Sequence, residues 1–297
     1  MPLILPEDGT IADSQTGILY VVATPIGNLD DITLRALKIL ETSDFIIAED
    51  TRHTGKLLSH YNIKKRLISC HEYNEAARVS EILGRIRKGA NGAIVTDAGT
   101  PTVSDPGFLI VKKAIETGID VRPVPGVSAA ITALSVSGFP TDAFVFIGFP
   151  SKKKGKRDAQ LKTFSTEKRT LIFYESPRRI LTFIDELMEH FGDRGAVIGR
   201  EMTKMHEEFI RGTLSSIYQS LKDRPAVKGE FTLVLKGYED DQTVSENILL
   251  TEIDRGLKES SAKPSSLAKK IAKTTGLPRN RVYDEIVKRI KKDHVVY

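Results

Sequence analysis

The stretch TDAGTPTVSDPG, Thr96–Gly107, decides how this chain is read. It follows the apolar run GAIV and precedes FLIVKKAIETG, whose apolar spacing predicts a helix. A strand-to-helix connection usually takes about 2–6 residues. This one is longer and holds two glycines, two prolines and two aspartates. Gly99 and Gly107 permit close backbone approach, and Pro101 and Pro106 stiffen the loop, which lowers the entropy cost of keeping it open. Asp97 can accept a hydrogen bond from a hydroxyl or an amine. The composition is that of a loop that grips something.

Working outward, β-type runs alternate with amphipathic stretches from residue 18 to residue 126. ILYVVAT, DFIIAED, RLISC, GAIVTD and DVRPVPG read as strands. DITLRALKILETS, HTGKLLSHY, NEAARVSEILGRIRKG, FLIVKKAIETG and VSAAITALSVSG read as helices. Short, continuous apolar strands imply a sheet covered on both faces, and the alternation implies parallel strands with right-handed crossovers. Three more polar loops leave carboxyl strand ends, where open α/β sheets bind ligands. ATPIGNLDDIT (Ala23–Thr33) offers Gly27 for a positive φ and Asp30 or Asp31 as a helix cap. AEDTRHT (Ala48–Thr54) sets Glu49, Asp50 and Arg52 side by side. PVPGVSAAITAL (Pro123–Leu134) has little bulk at Gly126, Ser128, Ala129 and Ala130. Four such loops on one edge point to a shared small-molecule site. G-x-G-x-x-G is absent after the first strand and G-x-x-x-x-G-K-[ST] is absent throughout, so a pyrophosphate is not the expected handle.

The second half changes character. AFVFIGFP, TLIFYES, AVIGREMT, EEFIRGTL and GEFTLVLKGY read as strands with fewer crossovers, which predicts a mixed sheet. SKKKGKRDAQLKTF, PRRILTFIDELMEHFG and SSIYQSLKDR read as helices, with Pro177 at the start of the second. Boundaries are expected near Phe139–Ala143 and Tyr238–Glu246, the latter polar and turn-rich. The expected organisation is a loose segment 1–17, α/β domains 18–139 and 140–240, and a basic helical region 241–297.

The 297 residues are 40% hydrophobic and 28% charged, as in a globular protein with a sizeable core. Cys70 is the only cysteine, which excludes an intrachain disulfide and favours a reducing compartment. The start, MPLILPEDGT, lacks the features of a signal peptide, and no apolar run approaches the ~18 residues of a membrane span, so a cytoplasmic location is expected. The six histidines form no ligand spacing and there is no C-x-x-C, so no metal is expected. Cys70 and His71 would face opposite sides of a strand, which argues against a catalytic pair.

Charge is uneven. Residues 258–297 carry eleven Lys/Arg against four Asp/Glu, and the remainder carries 33 against 35. A basic tail on a near-neutral body implies a polyanionic partner or a solubilising helix face. SSLAKKIAKTTGLPRNRVYDEIVKRIKK has the spacing of a helix-turn-helix. Ser265 or Ser266 would cap the first helix, Gly276 would end it and Pro278 would open the second. Ala272 would be the small residue such a motif needs and Val282 its core aliphatic, and Arg279, Arg281, Lys288 and Arg289 would be available for nucleic acid. Plain helical hairpins share this spacing.

ATPIGNLDDIT, AEDTRHT, TDAGTPTVSDPG, VPGVSAA, FYESPRR, REMTKMHEEFIRG and KGEFTLVL occur in one order between residues 18 and 238. Together they resemble the ribosomal RNA small subunit 2′-O-methyltransferase I family, of the tetrapyrrole-methylase-like class III methyltransferases; the basic tail resembles that family's C-terminal region. This sequence reads TDAG where many relatives of the fold read GDP. The resemblance implies two α/β domains with S-adenosylmethionine (SAM) in the cleft between them. It also implies methylation of a cytidine ribose 2′-hydroxyl in the decoding region of 16S rRNA, and a homodimer. Cofactor contacts would fall on Pro25, Gly27, Asp97, Ala98, Gly99, Thr100, Val127, Ser128, Ala129, Tyr174, Glu230 and Thr232. Glu49, Asp50, Arg52, Glu175, Glu201, Lys204 and Glu230 are candidates to activate or orient the hydroxyl, and the residues themselves do not choose among them. The competing readings are a tetrapyrrole methylase, which would not need the basic tail, and a DNA-binding regulator with a ligand-sensing body.

Overall fold

The computed structural model describes residues 16–239, 241–259, 264–275 and 279–293. Strands β1 (Ile18–Val22), β2 (Phe45–Ala48), β3 (Arg66–Ser69), β4 (Gly92–Val95) and β5 (Asp120–Val124) form a parallel sheet in the order β3-β2-β4-β1-β5. Every residue of β2 and β4 is buried, because helices cover both faces. Successive side chains alternate accordingly: Ile47 and Ile94 enter one apolar cluster, Ile46 and Val95 the other. Pro123, which cannot donate to a ladder, lies on the edge strand β5.

The covering helices are α1 (Leu34–Thr42), α2 (Thr51–His60), α3 (Glu75–Arg87), α4 (Phe108–Glu116) and α5 (Ala129–Ser135). Thr33 caps α1 by accepting from the Ala36 amide at 3.0 Å. Asp30 and Asp31, the expected caps, instead form a 3-10 turn with Leu29.

The second sheet is mixed, as expected. It comprises β6 (Phe144–Gly148), β7 (Thr170–Glu175), β8 (Gly195–Arg200), β9 (Glu208–Thr213) and β10 (Phe231–Leu235), in the order β6-β7-β10-β8-β9; only β6 and β7 run parallel. Helices α6 (Lys154–Thr163), α7 (Ile180–Phe191) and α8 (Leu214–Lys222) accompany it. Pro177 does not open α7. It lies in a preceding turn, whose Ser176 carbonyl accepts from the amides of Arg179 and Ile180.

The first sheet ends before Phe139 and the second begins at Phe144, yet the two halves share apolar packing. Ala130, Ala133 and Leu134 of α5 cluster with Ile172 of β7 and Val234 of β10. Both sheets lie within one compact unit that runs to Lys236; a second begins at Gly237.

The second unit contains α9 (Asp241–Glu259), α10 (Pro264–Thr275) and α11 (Arg279–Asp293), around Leu249, Ile253, Leu267, Ala268, Ile271, Val282 and Ile286. The stretch expected to be turn-rich therefore includes the start of a 19-residue helix. Ser265 and Ser266 lie inside α10, which starts at Pro264, a residue suited to a first helical turn. Most of the 1–17 segment, Gly276, Pro278 and the Arg281 side chain fall outside the described residues. No described helix is long and apolar enough to cross a membrane.

Candidate active site

The Thr96–Gly107 loop is held to its neighbours by specific bonds. Thr24, after β1, and Gly99 exchange backbone hydrogen bonds at 2.8 and 3.0 Å, joining two loops 75 residues apart. The Thr24 hydroxyl also donates to the Thr96 carbonyl at 3.1 Å. From the loop after β2, the Glu49 carboxylate accepts from the Thr96 hydroxyl at 2.8 Å, and the Asp50 amide donates to Asp97 at 3.2 Å. The Thr100 hydroxyl donates to the Val127 carbonyl at 3.2 Å. Gly99 has a φ of 81°, and Thr102 and Ser104 are both held at a φ of 71°. That conformation costs a side-chain-bearing residue about 1–2 kcal/mol. Strain of this kind persists only where the surroundings impose it.

The loop closes one side of a cavity of about 360 Å³. Glu49, Asp97 and Asp105 line it, with Ser128 and Ala129 at the start of α5 and Tyr174, Phe149, Glu230 and Thr232 from the second half. The Tyr174 ring meets Phe146 and Phe149 edge-on at 5.0 and 5.5 Å, and its hydroxyl accepts from the Ala130 amide at 3.1 Å. Burial raises the pKa of the Tyr174 hydroxyl. Burial and the neighbouring Glu49 also raise that of Asp97. For Asp105 the same two causes, in the same order, push the carboxyl up to about 7, partly offset by a hydrogen bond with the Thr96 side chain.

A second cavity of about 530 Å³ adjoins the first, and Ile26, Asp97, Ala98 and Glu230 line both. Its remaining walls include Pro25, Gly27, His53, Lys56 and Lys204. Lys204 bridges Glu201 and Glu230, at 3.1 Å from each. Burial works against its charge, but these two hydrogen bonds outweigh it and hold the ammonium above its ordinary pKa. Gly27 is not in a left-handed conformation; it serves by being small. A Cβ there would stand 2.4 Å from Lys204 Cγ and 2.8 Å from Thr203 Oγ1. The Asn28 amide donates to that same Thr203 hydroxyl at 3.0 Å.

Residues 18–218 match the family model for Tetrapyrrole (Corrin/Porphyrin) Methylases. Ribosomal RNA small subunit methyltransferase I of Synechocystis sp. is 45% identical over 270 residues, spanning 90% of this chain and 96% of that protein. The protein of the same name from Micromonospora olivasterospora is 40% identical over 281 residues, 94% of this chain and 90% of its own. The chain belongs to the ribosomal RNA small subunit methyltransferase I family. Its fold is that of the tetrapyrrole methylases: uroporphyrin-III C-methyltransferase from Thermus thermophilus, solved with S-adenosyl homocysteine, superposes with a TM-score of 0.53 at 18% identity, covering 74% of this chain and 97% of that one.

Against this family frame the structure sorts the residues singled out in the sequence. Asp97, Ala98, Gly99, Thr100, Ser128, Ala129, Tyr174, Glu230 and Thr232 line the first cavity; Pro25 and Gly27 line the second. Val127 contributes the carbonyl that Thr100 holds. Glu49 and Glu175 line the first cavity, and Glu175 is also bound to Arg179 at 2.6 Å. Asp50 caps α2 and pairs with Arg52, whose side chain is 88% exposed; both stand outside the linings of the two cavities. Glu201 supports Lys204 from behind and accepts from the Glu230 amide at 2.8 Å.

Asp105, Phe149, His53 and Lys56 also line these cavities, although the sequence reading does not pick them out. Asp105 was visible in the opening loop, and Phe149 follows the β6 run. His53 and Lys56 are three apart on α2, a spacing that puts them on one helix face. In the tail, Arg279 is exposed, Lys288 pairs with Glu285 at 3.3 Å, and Arg289 is held by Asp254 through bonds of 2.9 and 2.7 Å.

Proposed function

We propose that this methyltransferase uses SAM to methylate the ribose 2′-hydroxyl of a cytidine in the decoding region of 16S rRNA. The observation that carries the reading is the pair of unlike cavities meeting at Asp97 and Ala98, within a chain of this family. The first cavity fits the cofactor on its own terms. Its volume lies within the ~300–1,000 Å³ range of small-molecule sites. Its five carboxylates suit a sulfonium and an ammonium, and Tyr174 offers a ring to a cation or a purine. When bound, SAM supplies an electrophilic methyl group on a positively charged sulfur.

The chain's own residues do the rest. Glu49, Asp97 and Asp105 hold the cationic part, while Ser128 and Ala129 leave room at the start of α5. In the second cavity His53, Lys56 and Lys204 favour an anionic acceptor. The Lys204 ammonium donates to the ribose oxygen and orients it for in-line attack, and such positioning supplies much of the acceleration. Two carboxylates line both cavities. Glu230 is engaged by Lys204, which leaves Asp97, with its raised proton affinity, to take the hydroxyl proton. A positioned base contributes about 10²–10⁴ in rate.

A cytoplasmic location, a homodimer and RNA contact through the tail complete the proposal. Their support is the resemblance and the charge split. The deciding experiment is methylation of 30S particles from a strain lacking the activity, using labelled SAM, followed by digestion to nucleosides and mass spectrometry. The expected product is 2′-O-methylcytidine. A methylated base, or turnover on a porphyrinoid alone, would sink the reading; specific duplex DNA binding without turnover would favour the regulator.

A further inference from the structure

One basic cluster lies on the body rather than the tail. β6 ends at Gly148, and the next residue, Phe149, is 59% exposed although its ring touches Tyr174 in the wall of the first cavity. The chain is then pinned. Arg179 donates to the Pro150 carbonyl at 3.3 Å, and Arg157 donates to the carbonyls of Ser151 and Lys152 at 2.8 and 3.2 Å. Arg157 is buried and doubly bonded to Glu186, both bonds at 2.6 Å. A buried ion pair of this kind is expensive to desolvate and contributes little net stability by itself. Here it fixes the backbone of a short exposed segment.

That segment carries Lys152, Lys153, Lys154 and Lys156, all exposed; Arg178, exposed, follows the cavity-lining residues Ser176 and Pro177. None of these five cations has an ion-pair partner among the described residues. Crowding exposed cations together costs repulsion, and no ion pair among the described residues offsets it. An exposed ring beside unpaired cations is how proteins hold single-stranded nucleic acid: bases stack on the ring and phosphates meet the cations. A duplex, with its bases already stacked, would have no use for the ring.

We propose that Phe149, Lys152, Lys153, Lys154, Lys156 and Arg178 form a lip that binds single-stranded RNA flanking the acceptor nucleotide. This rests on the RNA-methyltransferase reading above. The test uses the full chain and a labelled single-stranded RNA of about 12 nucleotides, with affinity measured by fluorescence anisotropy across a salt series. Neutralising three lysines (K152Q/K153Q/K154Q) should lower the log–log salt slope by about 2, at about 0.7 per phosphate contact. F149L, which keeps an apolar cover over Tyr174, should lose about tenfold in affinity, as expected for one stacked base, with the slope unchanged. S-adenosyl homocysteine binding by the triple variant, measured by calorimetry, should match wild type, which shows that it is folded. Unchanged affinity and slope in the triple variant would overturn the lip. So would equal losses on duplex DNA with no effect of F149L. If wild type methylates 30S particles and the triple variant keeps its KM, the lip fails while the methyltransferase reading stands. If RNA binding depends on the lip but no methyl is transferred, the lip stands and that reading fails.

Discussion

The two cavities that meet at Asp97 and Ala98 are built from opposite materials. The first gathers Glu49, Asp97 and Asp105 beside aromatic rings; the second gathers His53, Lys56 and Lys204. Lysines enter the lining on one side of the Asp97 loop only. The charged groups of the first cavity are carboxylates alone, whereas the second adds two lysines that match its two carboxylates in number, so only the second offers cations to an anionic ligand. Only two acidic side chains, Asp97 and Glu230, belong to both sides.

That contrast can be broken most severely at Asp97. Asp97→Asn should lower kcat by about 10²–10⁴-fold, the worth of a positioned base, with a smaller effect on cofactor affinity. Single-turnover kinetics with calorimetry of S-adenosyl homocysteine separates the two. A kcat within a factor of two of wild type would assign the proton elsewhere.

Next is Lys204→Met, which removes the ammonium and leaves Glu230 on the cavity wall, and Glu201 behind it, without the cation that bridges them. Turnover on 30S particles should fall about 10²-fold or more while S-adenosyl homocysteine binding stays close to wild type. Equal loss of cofactor affinity would mean that the second cavity is not a separate site.

Asp105 sharpens the comparison through pH. Its carboxyl holds a proton below about 7 and loses it above. A cationic ligand favours the ionised form, so affinity should rise about tenfold between pH 6 and pH 8 and then level, with a proton released on binding. Asp105→Asn should flatten that dependence in calorimetry. The same shift means that ionisation opposes folding: stability falls as pH rises from the unfolded carboxylate value near 4 towards 7. Asp105→Asn should therefore raise Tm at pH 8 more than at pH 5.

The smallest effect concerns the seam between the first loop and the Lys204 loop. Gly27→Ala puts a methyl 2.4 Å from Lys204 Cγ, and overpacking typically costs about 1–3 kcal/mol. The expected result is a lower Tm and a raised KM for the RNA substrate, with KM for SAM little changed.

Much of this was legible before any coordinates. Strands such as FIIA and GAIV declare themselves because burial on both faces leaves no polar positions. Thr96–Gly107 stood out by composition, because a loop that holds an open shape needs glycine and proline in unusual number. What sequence spacing could not supply were partners far away along the chain. Gly27 looked like a residue chosen for its φ, but its role is set by Lys204, 177 residues on. Pro177 looked like a helix start, but the bonds of Ser176 and Arg179 place the turn first. Asp50 and Arg52 read as site chemistry and turn out to cap and pair with each other. The tail's limit was read in one place and its helices in another. A cut before Lys258 would sever α10 and α11 from Leu249 and Ile253, on which they pack, whereas Lys236 and Gly237 mark the natural division.

Helix α5 has a consequence for how ligands come and go. Its first residue lines the first cavity, and its body is sealed against β7 and β10 through Ala130, Ala133, Leu134, Ile172 and Val234. Swinging the halves apart as rigid bodies would wet all five, at about 0.8 kcal/mol for each methylene-sized piece of surface. Such a clam-shell has its shells glued near the hinge. The rim of that cavity is different: Val103, Ser104 and Phe149 line it and are exposed, so they can move without uncovering the buried seam.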